Sequence, residues 1–241
     1  MQIKIKLQAQ PQCRVPICYQ YAVQSMLYTL LQENPQYSAF LHDEGHGSYR
    51  LFKMFTFGRL TGRGYIRQKE IFFTENIFLE IRSCDIQFIE TLLAALPTGK
   101  TLKIANAYAT VLSAEVAEKT VDFDTLKISV PSGIAVYHTV GNQRSFINCT
   151  ASEFPRMIQQ NFAAKWQAFY GSQPTGNIAL TPLKVDVEKD KIVTKIKGNY
   201  VTAWRGIYQL CGAKEHLQFL YDTGLGSKNA QGFGMFEILS E

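Results

Sequence analysis

Residues 2–8 read Gln2-Ile3-Lys4-Ile5-Lys6-Leu7-Gln8. Apolar and polar side chains alternate, which predicts a strand with one face buried and one in water. Pro16 precedes a change of period. Val23, Met26, Leu27, Leu30 and Leu31 fall at i, i+3, i+4, i+7 and i+8, a single apolar stripe on a helix. Tyr21, Ser25, Tyr28 and Gln32 form an adjoining, more polar stripe, so Tyr28 lies beside the core-facing stripe and not at its centre. A short helix follows Asn34-Pro35 and ends near Gly45. Strands are expected at 51–57 and 69–82, a helix over 85–95 with Ile86, Ile89, Leu92 and Leu93 on one side, and strand-like chain over 101–117. The order is β-α-β-β-α-β, a ferredoxin-like unit.

The second half repeats the scheme less cleanly. Strands are expected at 125–130 and 133–140, then a helix over 151–169 carrying Phe154, Ile158, Phe162 and Phe169. Strands at 178–187, 191–197 and 200–209 lead to a short helix near 213–221 and a last strand at 233–239. The fold class expected is α+β, two tandem ferredoxin-like (βαββαβ) domains, 1–120 and 121–241. The mixed αβ order argues against an all-β sandwich. No solenoid period or low-complexity tract interrupts it.

A chain of 241 residues, 46% hydrophobic, accommodates two such cores. Formal charge is +5, spread over both halves and not gathered in a tail. That is compatible with a polyanion partner and does not require one. Lys4 and Lys6 break any apolar leader, and no stretch approaches the roughly 18 apolar residues of a membrane span. A cytoplasmic protein without membrane contact is the expectation. Five cysteines (Cys13, Cys18, Cys84, Cys149, Cys211) without close CxxC pairs read as free thiols and not as a zinc or disulfide framework.

Residues 224–234 read Gly224-Leu225-Gly226-Ser227-Lys228-Asn229-Ala230-Gln231-Gly232-Phe233-Gly234. Glycine tolerates positive φ and lets a partner touch the backbone. Successive N–H groups in such a loop can cradle a phosphate, with Lys228 adding a cation. A plain tight loop packing a helix onto a strand is equally open. A Walker loop would need Gly-Lys-Ser/Thr, and a dinucleotide loop should follow a strand and open a helix; this run does neither. Gly232-Phe233-Gly234-Met235-Phe236-Glu237-Ile238 echoes the strand signature of RNA-recognition motifs.

Gly224-x-Gly226 with Gly232-Phe233-Gly234 resembles the hallmark of the CRISPR-associated endoribonucleases that process repeat RNA, the sixth Cas family. Tyr200-Val-Thr-Ala-Trp204 and Tyr221-Asp-Thr-Gly-Leu-Gly226 are similar to the C-terminal domain of that family. Ala39-Phe-Leu-His42 and Phe52-Lys53-Met-Phe55-Thr-Phe57 are similar to its N-terminal active-site region. At Gly58 the chain departs from the family, where a Ser often ends the Phe-Thr-Phe run. The resemblance implies tandem ferredoxin-like domains and cleavage within CRISPR repeat RNA (precursor crRNA). It leaves open whether the chain acts as monomer or homodimer, and whether it serves with other Cas proteins in an effector complex. It implies no cofactor and no metal.

RNA carries its own nucleophile, the ribose 2′-OH. A protein can cut it by moving protons and stabilising the pentacoordinate phosphate, and His, with an ordinary pKa of about 6.5, suits the proton transfer. Of His42, His46, His138 and His216, the first matches the family's catalytic position. His46, in Gly45-His46-Gly47, reads as a flexible loop residue that touches RNA or only solvent. His138 reads as structural and His216 as a helix-surface residue. The resemblance further implies that Tyr28 orients the 2′-OH and that Lys53 stabilises the phosphate. Arg59, Arg63 and Arg67, with Lys69, form a basic stretch that either holds RNA or is a solvated hairpin. Gly224, Gly226, Lys228, Gly232 and Gly234 complete the expected RNA contacts. Two rivals stand beside this reading: an RNA-holding subunit that does not cut, and an unrelated ferredoxin-like protein that binds nucleotide through the glycine loop.

Overall fold

The computed structural model describes residues 1–10, 13–48, 50–141 and 143–240. In the first half the elements are β1 (Gln2–Ala9), β2 (Arg14–Pro16), α1 (Gln20–Leu30), α2 (Pro35–Ala39), β3 (Phe55–Phe57), β4 (Thr61–Arg67), β5 (Glu70–Ser83), α3 (Ile86–Ala94), β6 (Thr101–Ile104) and β7 (Ala107–Ala117). The second half adds β8 (Thr125–Ser129), β9 (Tyr137–Val140), β10 (Gln143–Phe146), α4 (Phe154–Tyr170), β11 (Ala179–Lys184), β12 (Lys191–Ile196), β13 (Asn199–Trp204), β14 (Ile207–Cys211), α5 (Lys214–Thr223) and β15 (Glu237–Ser240).

The alternation in β1 does what its pattern requires: Ile3, Ile5 and Leu7 are buried against the helices while Lys4 faces water. β1 lies between β5 and β7, antiparallel to both. The long β5 pairs with β1 and β2 along one edge and with β3 and β4 along the other. The second half repeats this layout, with β8 between β14 and β15 and β11 outside β14. Each half is therefore a ferredoxin-like βαββαβ unit. The second carries two insertions, the hairpins β9–β10 and β12–β13.

The α1 stripe is buried as its spacing predicts, at Val23, Met26, Leu27, Leu30 and Leu31. In α3 the inward face is instead Phe88, Ile89 and Leu92, while Ile86 and Leu93 are exposed. At about 100° per residue those two lie roughly 100° from the centre of the buried stripe. The expected strand 51–57 forms only from Phe55, because Met54 takes φ +51°. The stretch 101–117 folds back on itself at Ala105 (φ +56°), giving β6 and β7. The stretch 200–209 breaks at Gly206, whose φ of +149° interrupts the strand and where a Cβ would stand 2.5 Å from Val185. The last strand begins at Glu237, later than expected, because 233–236 belong to the glycine-rich loop.

The halves share buried contacts. α5 packs on β3 and β5. Arg82 in β5 is 3% exposed, donates to Phe236 O at 2.6 Å and to Glu80 at 2.6 Å, and lies 3.7 Å from the Tyr221 ring centroid. Among the described residues no helix is long and apolar enough to cross a membrane.

Candidate active site

Asn34 starts α2 by accepting from Tyr37 N at 3.1 Å, with Pro35 at the first helical position. The helix then widens into a π-type turn over Phe40–Glu44, closed by Gly45 N donating to Phe40 O at 2.7 Å. Such turns spread successive side chains outward and recur at functional sites. His42 sits in the middle of this one with a side chain 72% exposed, and its Nδ1 is paired with Asp43.

Two other residues converge on it. Lys53 Nζ donates to His42 O at 2.9 Å. The Tyr28 ring, from the polar stripe of α1, meets the His42 ring edge-on at 6.0 Å between centroids. Gly45 makes the Lys53 contact possible, because a Cβ there would stand 2.8 Å from Phe52 O and 3.1 Å from Lys53 Nζ. Burial pushes the Tyr28 hydroxyl up to about 12, so it stays protonated and can donate or orient. Burial lowers the Lys53 amine, with Asp43 pulling the other way. Lys53 is not on a strand, as its alternation suggested, but on the extended segment before β3.

Tyr28 and Lys53 line one wall of a cleft of about 260 Å³ whose other walls are the glycine-rich loop and residues of the second half. Arg50 donates to Ser227 Oγ at 2.9 Å. Lys228 lies 5.6 Å from the Tyr137 ring centroid, with Arg144 5.3 Å from the same ring. Burial, then the nearby charges of Arg144 and Arg50, lower the Lys228 amine to about 8. Lys165, buried at the cleft floor, donates to Gly224 O, to Asn229 Oδ1 at 3.2 Å and to Thr223 Oγ1 at 3.4 Å. Four basic side chains (Arg50, Lys53, Lys165 and Lys228) thus surround one small cleft.

The glycines have a packing role within the protein. Gly224, Gly226, Gly232 and Gly234 all have positive φ, between +66° and +82°. A Cβ at Gly232 would stand 2.5 Å from the Phe57 ring, and one at Gly234 would stand 2.0 Å from Leu225 O. The N–H groups of Gly224, Leu225, Ser227, Gly232 and Gly234 donate to protein carbonyls. These glycines let the loop lie flat on β3 and on residues 133–135, and the loop presents Gly226 through Gln231 to the cleft, with Lys228 as its cation.

Three other expectations change. His46 is not in a loose loop: its bridge to Phe52 fixes the backbone, and its side chain is 18% exposed. Its Nε2 lies 3.1 Å from Asp85, which also accepts from the Tyr37 hydroxyl at 2.6 Å. Burial alone would raise the Asp85 carboxyl, but hydrogen bonds from His46 and Tyr37 hold it below its ordinary range. His216 is fully buried in α5 against Phe162 and Trp166, and burial lowers its pKa. It lies on the inward stripe with Phe219, Leu220 and Thr223, so it is no surface residue. Arg59, Arg63 and Arg67 do not reach the cleft. Arg63 pairs with Glu75 at 2.9 Å on the exposed β4–β5 ribbon, and Arg59 lines a separate cavity. His138 pairs with Glu153 at 2.7 Å.

Sequence reasoning passed over Arg50, Tyr137 and Lys165. Lys165 had a legible signal: it follows Ile158 and Phe162 on the inward stripe of α4, where a lysine needs partners. Arg50 and Tyr137 carry none. Among the described residues no three His, Cys, Asp or Glu side chains converge.

Two ferredoxin-like units in tandem, with a basic cleft under a glycine-rich loop, define the class of fold to which the chain belongs. The family model for CRISPR associated protein Cas6, N-terminal, matches residues 14–115. That for CRISPR associated protein Cas6, C-terminal, matches 114–238, and the chain belongs to the Cas6 family. It is 27% identical over 248 residues to CRISPR-associated endoribonuclease Cas6 1 of Methanocaldococcus jannaschii, covering 98% of this chain and 91% of that protein. A solved structure described as CRISPR associated protein Cas6 superposes with a TM-score of 0.82 at 26% identity, over 100% of this chain and 99% of the other. A second, described as an RAMP protein binding different RNA substrates, gives 0.85 at 19% identity over the whole of both chains, and shows the same fold.

Proposed function

We propose that this chain is an endoribonuclease that cuts CRISPR repeat RNA without a metal ion, with Tyr28, His42 and Lys53 at the scissile phosphate. The observation that carries the reading is that Lys53 bonds the main-chain oxygen of His42, the Tyr28 ring meets the His42 ring, and Tyr28 and Lys53 line the basic cleft. The M. jannaschii relative bears the name of an endoribonuclease, which supports the activity class. The first half, to about residue 120, supplies the catalytic groups, and the second supplies the loop and the floor of the cleft.

In this mechanism the 2′-oxygen forms a bond to phosphorus and the P–O5′ bond breaks. The 2′ proton leaves and a proton ends on the departing 5′-oxygen, giving a 2′,3′-cyclic phosphate and a 5′-OH. His42 exchanges these protons. The protonated Tyr28 hydroxyl orients the 2′-OH, and the Lys53 ammonium, held by His42 O, meets the charge that grows on the phosphate. Lys228 and Arg50 hold the flanking backbone phosphates.

The nucleophile belongs to the substrate, so cleavage of a repeat RNA in excess EDTA should run at full rate. A repeat with a single 2′-deoxy residue at the cut should bind and stay whole. Loss of cleavage on chelation with recovery on adding a divalent ion, or cutting of the 2′-deoxy substrate, overturns this mechanism.

A further inference from the structure

A second basic groove runs along the other flank of α1. It has a volume of about 720 Å³ and is bounded by α1, β6 and the tip of the β12–β13 hairpin. Lys100, Lys103, Lys195 and Lys197 line it, and among the described residues no Asp or Glu does. Tyr21, 42% exposed, forms part of its floor. The hairpin comes from the second half of the chain, and its Lys197 (φ +47°) rides over the Tyr21 ring at 5.1 Å from the centroid. On the same hairpin Lys195 lies 5.9 Å from the ring of Tyr200, which is 65% exposed.

The groove is anchored to the catalytic cleft at two places. Along α1, Tyr21 and Tyr28 are seven residues apart, two turns on one stripe, a separation of about 10 Å at 1.5 Å per residue. At the other side, the hairpin buries Ile196, Val201 and Ala203 in one cluster with Phe233 of the glycine-rich run. The groove and the cleft are thus held in fixed relation by a helix on one side and by the glycine-rich loop on the other.

We propose that this groove holds a single-stranded segment of the RNA flanking the cut, with a base on Tyr21 and phosphates on Lys103, Lys195 and Lys197. The inference rests on the functional reading above. An exposed aromatic ring with a mobile lysine over it supplies what one nucleotide needs: the base takes the Lys197 ammonium's place on the Tyr21 ring, and the displaced ammonium meets the phosphate. Four lysines without a carboxylate favour a polyanion over a neutral or basic partner. The distance from Tyr21 to Tyr28 spans about three stacked nucleotides at ~3.4 Å each, so the strand passes from the groove across α1 to the scissile phosphate.

The test measures binding of repeat RNA carrying a 2′-deoxy residue at the cut, over a range of salt. Lys195→Ala with Lys197→Ala should raise Kd about tenfold or more. The same pair should flatten the plot of log affinity against log salt by about 1.4, or 0.7 for each phosphate contact on a single strand. Tyr21→Ala should raise Kd by about fivefold or more with the slope unchanged, since stacking carries no counterion release. 4-Thiouridine placed within about three nucleotides of the cut should crosslink to Tyr21 and at distant positions should not. Lys119→Ala with Lys214→Ala, exposed lysines outside the groove, is the comparison. If the hairpin and Tyr21 variants change Kd no more than that comparison pair, the groove does not bind RNA. If the unaltered protein fails to bind repeat RNA at all, the functional reading fails first.

Discussion

His42 and His46 stand four positions apart and sit in opposite environments. His42 projects from a π-type turn toward Tyr28 with its side chain 72% exposed. His46 is locked between Phe40, Phe169 and the buried Asp85 carboxylate. General acid–base catalysis contributes typically 10²–10⁴-fold, so His42→Ala should slow single-turnover cleavage by about that factor. Repeat affinity should stay within about threefold. His46→Ala should slow cleavage by less than about tenfold, and should lower stability because it strips a hydrogen bond from a buried carboxylate, about 1.5–3 kcal/mol. Rates, affinities and Tm for both variants decide the assignment. Reversed rate effects would move proton transfer to His46, and two small rate effects would favour a protein that holds RNA without cutting.

The glycine-rich loop shows how an element can be specified by the absence of side chains. Gly234 has φ +77° and its missing Cβ would overlap Leu225 O, whereas Gly198, at the tip of the β12–β13 hairpin with φ +82°, faces open space. The left-handed conformation costs an L-residue roughly 1–2 kcal/mol by itself. Gly198→Ala should therefore lower Tm by only a few degrees and leave the fold intact. Gly234→Ala adds a backbone collision and should cost markedly more Tm while releasing Lys228 from the cleft, so that repeat binding weakens too. Equal Tm losses in the two variants would mean that the loop relaxes freely and that its packing is not what demands glycine.

At the scale of the whole molecule, the two halves are joined by buried polar groups and not by an apolar seam alone. Arg82 of the first half caps Phe236 O of the second, and Lys165 grips the loop that lies on β3. Burial pushes the Lys165 amine down to about 7 from its ordinary 10.5, with the Cys84 thiol opposing the shift and Arg50 adding to it. Between about pH 7 and 10.5 the unfolded chain therefore holds a proton that the folded chain does not. Stability from this group rises with pH across that window and is flat below it. The Tm of the unaltered protein minus that of Lys165→Met should increase from pH 7 to pH 9. A constant difference would mean that Gly224 O, Thr223 Oγ1 and Asn229 Oδ1 keep the amine charged throughout.

Periodicity by itself determined the two ferredoxin-like units, because burial of one face imposes period two on β1 and period 3.6 on α1 whatever lies opposite. Local chemistry likewise marked the glycine run and the helix start at Asn34-Pro35, whereas the candidates His42, Lys53 and Tyr28 came from the resemblance to the family's motifs. Element boundaries were less legible: the breaks at Met54, Ala105 and Gly206 depend on backbone signs that side-chain patterning does not encode. Only the tertiary structure decided which cations share a cleft. Arg63 and Arg67 are close to Lys53 in the chain and away from its cleft in the fold, because β4 carries them out on an exposed ribbon. Lys165 and Lys228, more than a hundred residues further on, meet it because α5 and the glycine-rich loop dock on β3. The sequence records each strand's own period, whereas the distance between two side chains on different elements is set by how the sheets and helices pack together.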